Sequence, residues 1–483
     1  MASHWEKNVP RLKRILDKST IKNCHMDQLD QASQKKLTLF ILKVSVVAAI
    51  GGLLFGYDTA VIAGVIGYLE IKFNLSPLMV GWAASSAIWG CVFGVLFTGY
   101  ISDRIGRKKS LIITSILFFI SSILAALSTD LNEFIIARFI GGLGIGAASM
   151  LSPLYISEIA PAKNRGTLVS LYQLAIVIGI NLIYFVNLKI SNYGDQTWNV
   201  EYGWRYMLAS GMIPAFLFFF LLFFVPESPR WLIKNKKSDK GLEILTKVNG
   251  VEKAKEILAE IENSLTSESG TLGELFKPGI RMAMIIGIVL AMFSQITGIN
   301  AIIYYAPEIF KTAGFGAESA LMQTVVIGLV NTLFTFVAIW LIDQVGRKKL
   351  LIGGLIGMAI SLTAIAICYH FDLANGPLLL VFILCYIASF ASSLGPIPWV
   401  IISEIFPTKT RGIAMSFATV VLWIGVVLIT QLTPIMLKNF GGAPTFSIFM
   451  VNTLILLYFT WKFIPETRQK TLEDIEASWK KHK

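Results

Sequence analysis

One carboxylate, Asp58, stands inside LLFGYDTAVIAG, the otherwise apolar run from Leu53 to Gly64. An acid in the middle of a membrane helix costs roughly 2.5 to 3.5 kcal/mol on insertion scales, so it needs a partner or a task. Shelter from water favours the neutral acid, whereas a neighbouring cation favours the carboxylate. A pair of that kind can take up and release a proton. The cation on offer is Arg138, in ARFIGG at the start of the fourth apolar run. On the residues alone two readings stay open, a proton-carrying acid or a permanent ion pair that ties the first run to the fourth.

Other reactive chemistry finds no residues to perform it. The chain has no phosphate-binding GxxxxGK[ST] loop, no HExxH pair and no GxSxG elbow, so an enzyme is not expected. Histidines (His4, His25, His370, His482) and cysteines (Cys24, Cys91, Cys368, Cys385) are scattered without ligand spacing, so neither a metal site nor a cofactor is expected.

The elements that must position Asp58 follow from composition. Of 483 residues 55% are hydrophobic and only 15% are charged, a balance that belongs in a lipid bilayer. Twelve apolar runs of helix-spanning length are centred near residues 50, 90, 118, 145, 179, 214, 290, 330, 358, 390, 425 and 454. They are too long and too uniformly apolar for barrel strands, which predicts an all-α integral membrane protein. The net charge of +12 reports topology rather than a nucleic-acid partner. If both termini are cytoplasmic, 35 of the 42 Lys and Arg residues fall on cytoplasmic segments, as the positive-inside rule requires. The polar first 35 or so residues do not form a signal peptide.

A long polar stretch divides the twelve runs into six and six. It holds two amphipathic patterns, LEILTKV and AKEILAEIENSL. The expected organisation is a cytoplasmic segment at 1–40, a six-helix bundle at 41–225, a helical linker at 226–279, a second bundle at 280–464 and a cytoplasmic tail at 465–483. The halves repeat one another. DRIGRKK at 103–109 recurs as DQVGRKK at 343–349; Ser157-Glu158, Pro161 and Arg165-Gly166 recur as Ser403-Glu404, Pro407 and Arg411-Gly412; Pro226-Glu227-Ser228 recurs as Pro465-Glu466-Thr467. Both copies run in the same direction, which is a parallel repeat about an axis along the membrane normal. Two such bundles can rock about a site between them, the architecture of a carrier. The repeated charges Asp103, Arg107, Glu158, Arg165, Glu227, Arg230, Asp343, Arg347, Glu404 and Arg411 are expected to form a conformational switch. Exposed pairs contribute only about 0 to 1 kcal/mol each, but several together bias a two-state equilibrium.

The motifs then spell a family. FGYDTAVIAG, the two GRKK loops, ARFIGGLGIGAASMLSPLYISEIAPAKNRG, PESPRWL, QITGINAIIYYAPEIF, GPIPWVIISEIFPTKTRG and PETR resemble the sugar porters of the major facilitator superfamily over residues 40 to 470. The resemblance is nearest to D-xylose/proton symporters and proton-coupled myo-inositol carriers. It implies a substrate pocket at Phe55, Gln173, Gln295, Asn300, Tyr304, Asn331, Gly395 and Trp399, with Asp58 as the proton carrier beside Arg138. Amide side chains suit a polyol because each donates and accepts without charge. Gly395, Pro396 and Pro398 would break the tenth helix.

The chain departs from similar xylose carriers at Ile180, Ser294 and Leu422, where they have glutamine, and at Gly211, where they have an acid. The pocket is therefore expected to be more apolar, and a hexose, xylose or myo-inositol is expected as cargo. The expected protein is a monomeric multi-pass transporter of the inner or plasma membrane, driven by the proton gradient. A facilitative uniporter and a transporter-like sugar sensor are the alternatives.

Overall fold

A chain in hydrocarbon can satisfy its backbone only within its own segment, so apolar runs of this length become helices. The computed structural model describes residues 9–161, 165–266, 273, 281–373, 377–406 and 411–468, and no strand occurs among them. The first span, Leu39–Phe73, continues a helix that begins at Val9. The second to fifth are Pro77–Ile105, Arg107–Leu127, Leu131–Ile159 and Arg165–Ser191. The sixth is Gln196–Leu222, with a π-helical turn at Asn199–Gly203. The seventh is Arg281–Thr312, followed by the eighth, Ala317–Val345, and the ninth, Arg347–His370. The eleventh and twelfth are Arg411–Phe440 and Gly442–Phe463.

The tenth run is broken, as Gly395, Pro396 and Pro398 predict. It forms two short helices, Pro377–Ala391 and Ile397–Ile405, joined by a turn at residues 392–396. Pro396 and Pro398 supply no backbone N–H, so the ladder cannot continue through them. The seventh span is broken too. Gly298 has a φ of +100°, a left-handed value that an L side chain resists, and a Cβ there would lie 2.5 Å from the Phe449 ring. The carbonyls freed by this break are collected by neighbours. Tyr386 donates to Thr297 O at 3.1 Å and Asn452 Nδ2 to Ile296 O at 3.0 Å.

Pairing of the spans repeats between halves. The second packs on the fourth and the third on the sixth, as the eighth packs on the tenth and the ninth on the twelfth. The first packs on the fifth as the seventh packs on the eleventh. Between halves the second meets the eleventh and the fifth meets the eighth, a symmetric exchange of partners. Small residues allow this closeness: a Cβ on Gly142 would lie 1.9 Å from the Ala87 carbonyl oxygen.

The linker carries three helices rather than two, Pro229–Lys234, Ser238–Asn249 and Val251–Thr266. Ile233, Leu245 and Ala254 form their small core. The first of them starts at Ser228, whose hydroxyl accepts the Trp231 N–H. It ends with Lys237 N–H on Leu232 O and Lys236 N–H on Ile233 O, while Lys236 takes a φ of +59°. That is the usual bonding of a left-handed helix stop, with lysine where glycine is the common choice.

Candidate functional site

Asp58 and Arg138 meet in the N-terminal bundle. Arg138 Nη1 donates to Asp58 Oδ1 at 2.8 Å, and Nη2 donates to the Asp58 carbonyl oxygen at 2.7 Å. The arginine is 2% exposed and the aspartate 8%. Asp58 Oδ2 is buried and has no hydrogen-bond partner among the described residues. It faces Gly141, where a Cβ would stand 3.5 Å away. Breaking a buried pair by removing one partner typically costs about 3 to 5 kcal/mol, because the remaining charge is left uncompensated.

Of the substrate residues proposed from the sequence, Gln295 and Asn300 flank the break in the seventh span. Asn300 Nδ2 donates to Gln295 Oε1 at 2.8 Å, and Gln295 Nε2 donates to Ser294 Oγ at 3.0 Å. The Gly298 turn brings the two amides together from either side of the break. Asn300, Tyr304 and Asn331 are buried, and Gln173, Gln295, Gly395 and Trp399 are half-buried. Gln173 stands on the fifth span, Asn331 on the eighth, Gly395 in the turn of the tenth and Trp399 on the helix after it. No bond joins these four to the amide pair among the described residues. Phe55 packs against Trp423 of the eleventh span, the rings tilted by 48° at 5.4 Å between centroids.

Two residues that the sequence reading passed over belong here. Thr59, next to Asp58, faces the Tyr304 hydroxyl, so the first span touches the seventh one residue from the ion pair. Trp423 covers Phe55 and keeps a buried indole N–H without a partner among the described residues. The position of Thr59 beside Asp58 was the available signal for the first; nothing in the sequence marked the second.

The repeated charges form one cluster in each half, on the side that carries the basic loops. Arg107 donates to both Glu158 oxygens, at 3.1 and 3.2 Å, and to Asp103 Oδ1 at 2.8 Å. Its side chain is 9% exposed and that of Glu158 is 5%, so this pair is buried and not the exposed pair assumed from the sequence. Glu227 accepts the backbone N–H groups of Arg107 and Lys108 at 2.9 and 3.0 Å. In the second half Arg347 donates to Glu404 at 3.3 Å. Glu466 accepts the N–H groups of Arg347 and Lys348 at 3.0 and 3.1 Å. Glu466 was missing from the expected switch although the repeat of Pro226-Glu227 at Pro465-Glu466 pointed to it. Arg230 does not join the cluster: it is exposed, and Lys234 pairs with Asp103 instead, at 2.8 Å. The side chains of Arg165, Asp343 and Arg411 lie outside the described residues.

Each of these clusters holds a single half together. The halves are joined elsewhere. Ser85 donates to Gln431 at 2.6 Å, Tyr184 to Ile303 O at 2.6 Å and Asn192 to Glu318 at 3.1 Å, toward the side opposite the clusters. This conformation is closed on that opposite side.

Comparison with known proteins agrees with this arrangement. Residues 44–479 match the family described as sugar (and other) transporter. The chain is 49% identical over 441 residues to the arabinose-proton symporter of Bacillus subtilis, covering 91% of this chain and 95% of that one. It is 42% identical over 472 residues to the D-xylose-proton symporter of Escherichia coli, covering 91% and 96%. The solved inward-open structure of the E. coli xylose transporter XylE superposes with a TM-score of 0.80 at 40% identity, covering 91% of this chain and all of that one. An all-helical multi-pass membrane protein with this duplicated architecture, matched over nearly its whole length, belongs to the sugar transporter family of the major facilitator superfamily.

Proposed function

We propose that this protein is a proton-coupled symporter that imports a monosaccharide by alternating access, with aldopentoses as its first class of cargo. The observation that carries the reading is the half-satisfied Asp58: one oxygen is held by Arg138 and the other is bare, buried and one residue from the contact to the seventh span. A proton arriving on Asp58 removes the charge that holds Arg138. The first and fourth spans are then free to shift, and Thr59 carries the shift to Tyr304 and the sugar-facing segment of the seventh span. Sugar bound at Gln295 and Asn300 acts on the same segment from the other end. Proton and sugar thus bias one movement.

The cargo assignment is supported by the two similar proteins named for arabinose and xylose and by uncharged amides preset beside each other at 2.8 Å. Hexoses and myo-inositol are the competitors to test. Both termini are taken as cytoplasmic from the placement of basic residues, which makes the closed side the outer one. The segments 1–40, 41–225, 226–279, 280–464 and 465–483 are the working domain division, and one chain is taken as the functional unit. The energy source is the proton gradient, without a cofactor.

Moving one charge across the membrane supplies about 2.3 kcal/mol per 100 mV, enough for roughly fifty-fold accumulation. Proteoliposomes loaded with protein and energised by an imposed pH gradient and potential provide the test, with labelled arabinose, xylose, glucose and myo-inositol offered in turn. Asp58→Asn is expected to keep exchange of labelled sugar across the membrane while losing uphill accumulation. Undiminished accumulation by this variant removes Asp58 from the coupling and the symport reading with it.

A further inference from the structure

On the basic side of the N-terminal bundle, a cleft of about 600 Å³ opens between the end of the second span, the start of the third and the Pro229–Lys234 helix. Arg104, Lys109 and Lys237 line it, and none of the three has a carboxylate partner among the described residues. The acids nearby are already engaged. Asp103 holds Arg107 and Lys234, Glu158 holds Arg107, and Glu227 accepts the backbone N–H groups of Arg107, Lys108 and Ser228. The positive charge of the cleft is therefore left without a counter-charge from the protein.

Its floor is apolar. Trp231 forms the base, anchored by its indole N–H on the Asp103 carbonyl oxygen at 2.8 Å, and Ile112 and Ile113 form the wall. Lys237 Nζ stands 5.5 Å from the centre of the Trp231 ring. The turn that brings it back over the ring is the one that holds Lys236 at a φ of +59°. A strained lysine in place of glycine keeps a run of basic residues at the rim of the cleft. From the wall a stripe of exposed apolar side chains, Ile113, Ile116, Ile120 and Leu124, runs down the third span on its outward face.

Arg104 lies over the Tyr100 ring at 5.0 Å, but cations with no carboxylate partner at the head of a membrane-facing apolar stripe match one kind of molecule, with an anion at one end and hydrocarbon behind it. We propose that this cleft is a binding site for an anionic phospholipid, whose phosphate sits among Arg104, Lys109 and Lys237 and whose chains lie along the isoleucines. Basic residues at a membrane surface attract anionic headgroups in this way. A free phosphate ion would satisfy the cations but leave the apolar stripe unused, so the lipid is the occupant. The internal repeat provides a control. Gln344 replaces Arg104 at the matching position of the second half, so the duplicated loop alone does not build the site. This inference is independent of the cargo and of the role of Asp58.

The test uses the full chain, purified in mild detergent and incubated with phosphatidylglycerol or phosphatidylcholine of identical acyl chains. Native mass spectrometry counts the lipid retained. Phosphatidylglycerol is expected to be retained over phosphatidylcholine, and millimolar inorganic phosphate is expected not to displace it. Each basic residue at a membrane surface contributes about fivefold. The triple variant Arg104→Gln, Lys109→Gln, Lys237→Gln should therefore bind roughly a hundredfold more weakly. Ile113→Asn, which leaves every charge in place, should weaken retention as well, whereas Lys349→Gln in the second half should not. Equal retention of both lipids, full retention by the triple variant, or displacement by free phosphate overturns the proposal.

Discussion

One oxygen of Asp58 is bound and the other is bare, and the difference rests on how arginine is built. The guanidinium reaches Oδ1 with one nitrogen and the Asp58 backbone oxygen with the other; an ammonium group has no such fork. Arg138→Lys is expected to keep the charge but lose one of the two anchors, and to lower the steady-state accumulation ratio by about tenfold, the equivalent of about 1.4 kcal/mol. Equal accumulation ratios for parent and variant would show that the second anchor does not matter. In the proposed sugar site, Gln295 and Asn300 form one bonded unit. Removing either amide should weaken sugar binding by about tenfold, from the roughly 1 to 2 kcal/mol that such a bond and its freed partner represent. The double variant should lose less than the sum of the two, because the second removal finds the unit already broken. Calorimetric titration of the four proteins measures this coupling, and strict additivity would separate the two residues. At this scale the sequence was legible wherever a residue was chemically out of place. Asp58 and Arg138 stand out against apolar surroundings. Thr59 and Trp423 do not, because threonine and tryptophan are ordinary in membrane helices and only their neighbours in space give them a role.

At the scale of elements, the loops between the second and third and between the eighth and ninth spans follow one design. Gly106 has a φ of +101° and Gly346 of +98°. A Cβ on Gly106 would lie 2.3 Å from Glu227 Oε2, and one on Gly346 would lie 2.7 Å from Glu466 Oε2. The glycine lets the chain turn sharply and lets a carboxylate close over the two N–H groups that open the next helix. Gly250 in the linker separates these two effects, because its φ is +79° yet nothing lies within 4 Å of its Cβ position. Gly250→Ala is expected to cost only backbone strain, about 1 to 3 kcal/mol. Gly106→Ala adds displacement of Glu227 from two backbone donors, about 2 kcal/mol more. Thermal-denaturation midpoints of the two variants should therefore differ, with Gly106→Ala the lower; equal midpoints would mean that Glu227 does not secure the turn. The repeat made these loops recognisable in the sequence, as proline did for the broken tenth span. The break in the seventh span was harder to see. Gly298 signals a bend there, but the support from Tyr386 and Asn452 is long-range and leaves no local trace.

For the whole molecule, the duplicated six-helix plan was readable from three matched motifs, and the distribution of Lys and Arg between loops is the basis of the proposed orientation. What no single motif encodes is which side is closed. The same contacts must be made and unmade in a working carrier, so the two states differ by only a few kcal/mol and the sequence is a compromise between them. The structure shows one state, in which the charged clusters brace each half separately and the halves meet on the opposite side. The second span approaches the eleventh so closely there that a Cβ on Gly81 would lie 2.4 Å from the Gln431 carbonyl oxygen. Ser85, one turn along the same helix, bonds the Gln431 side chain at 2.6 Å. A large side chain at residue 81 is incompatible with this contact, and it adds no charge to either bundle and touches neither Asp58 nor the amide pair. Gly81→Phe is therefore expected to hold the protein open on the side that is closed here. Transport should fall by about a hundredfold or more, since a few kcal/mol against one state removes it from the cycle, whereas sugar binding to the detergent-solubilised protein should persist. A cysteine introduced at Asn192, on the rim of that side, should become more reactive toward a membrane-impermeant thiol reagent in the Gly81→Phe background. Normal transport by Gly81→Phe, or unchanged thiol reactivity, would mean that closure between the second and eleventh spans is not a step the carrier has to make.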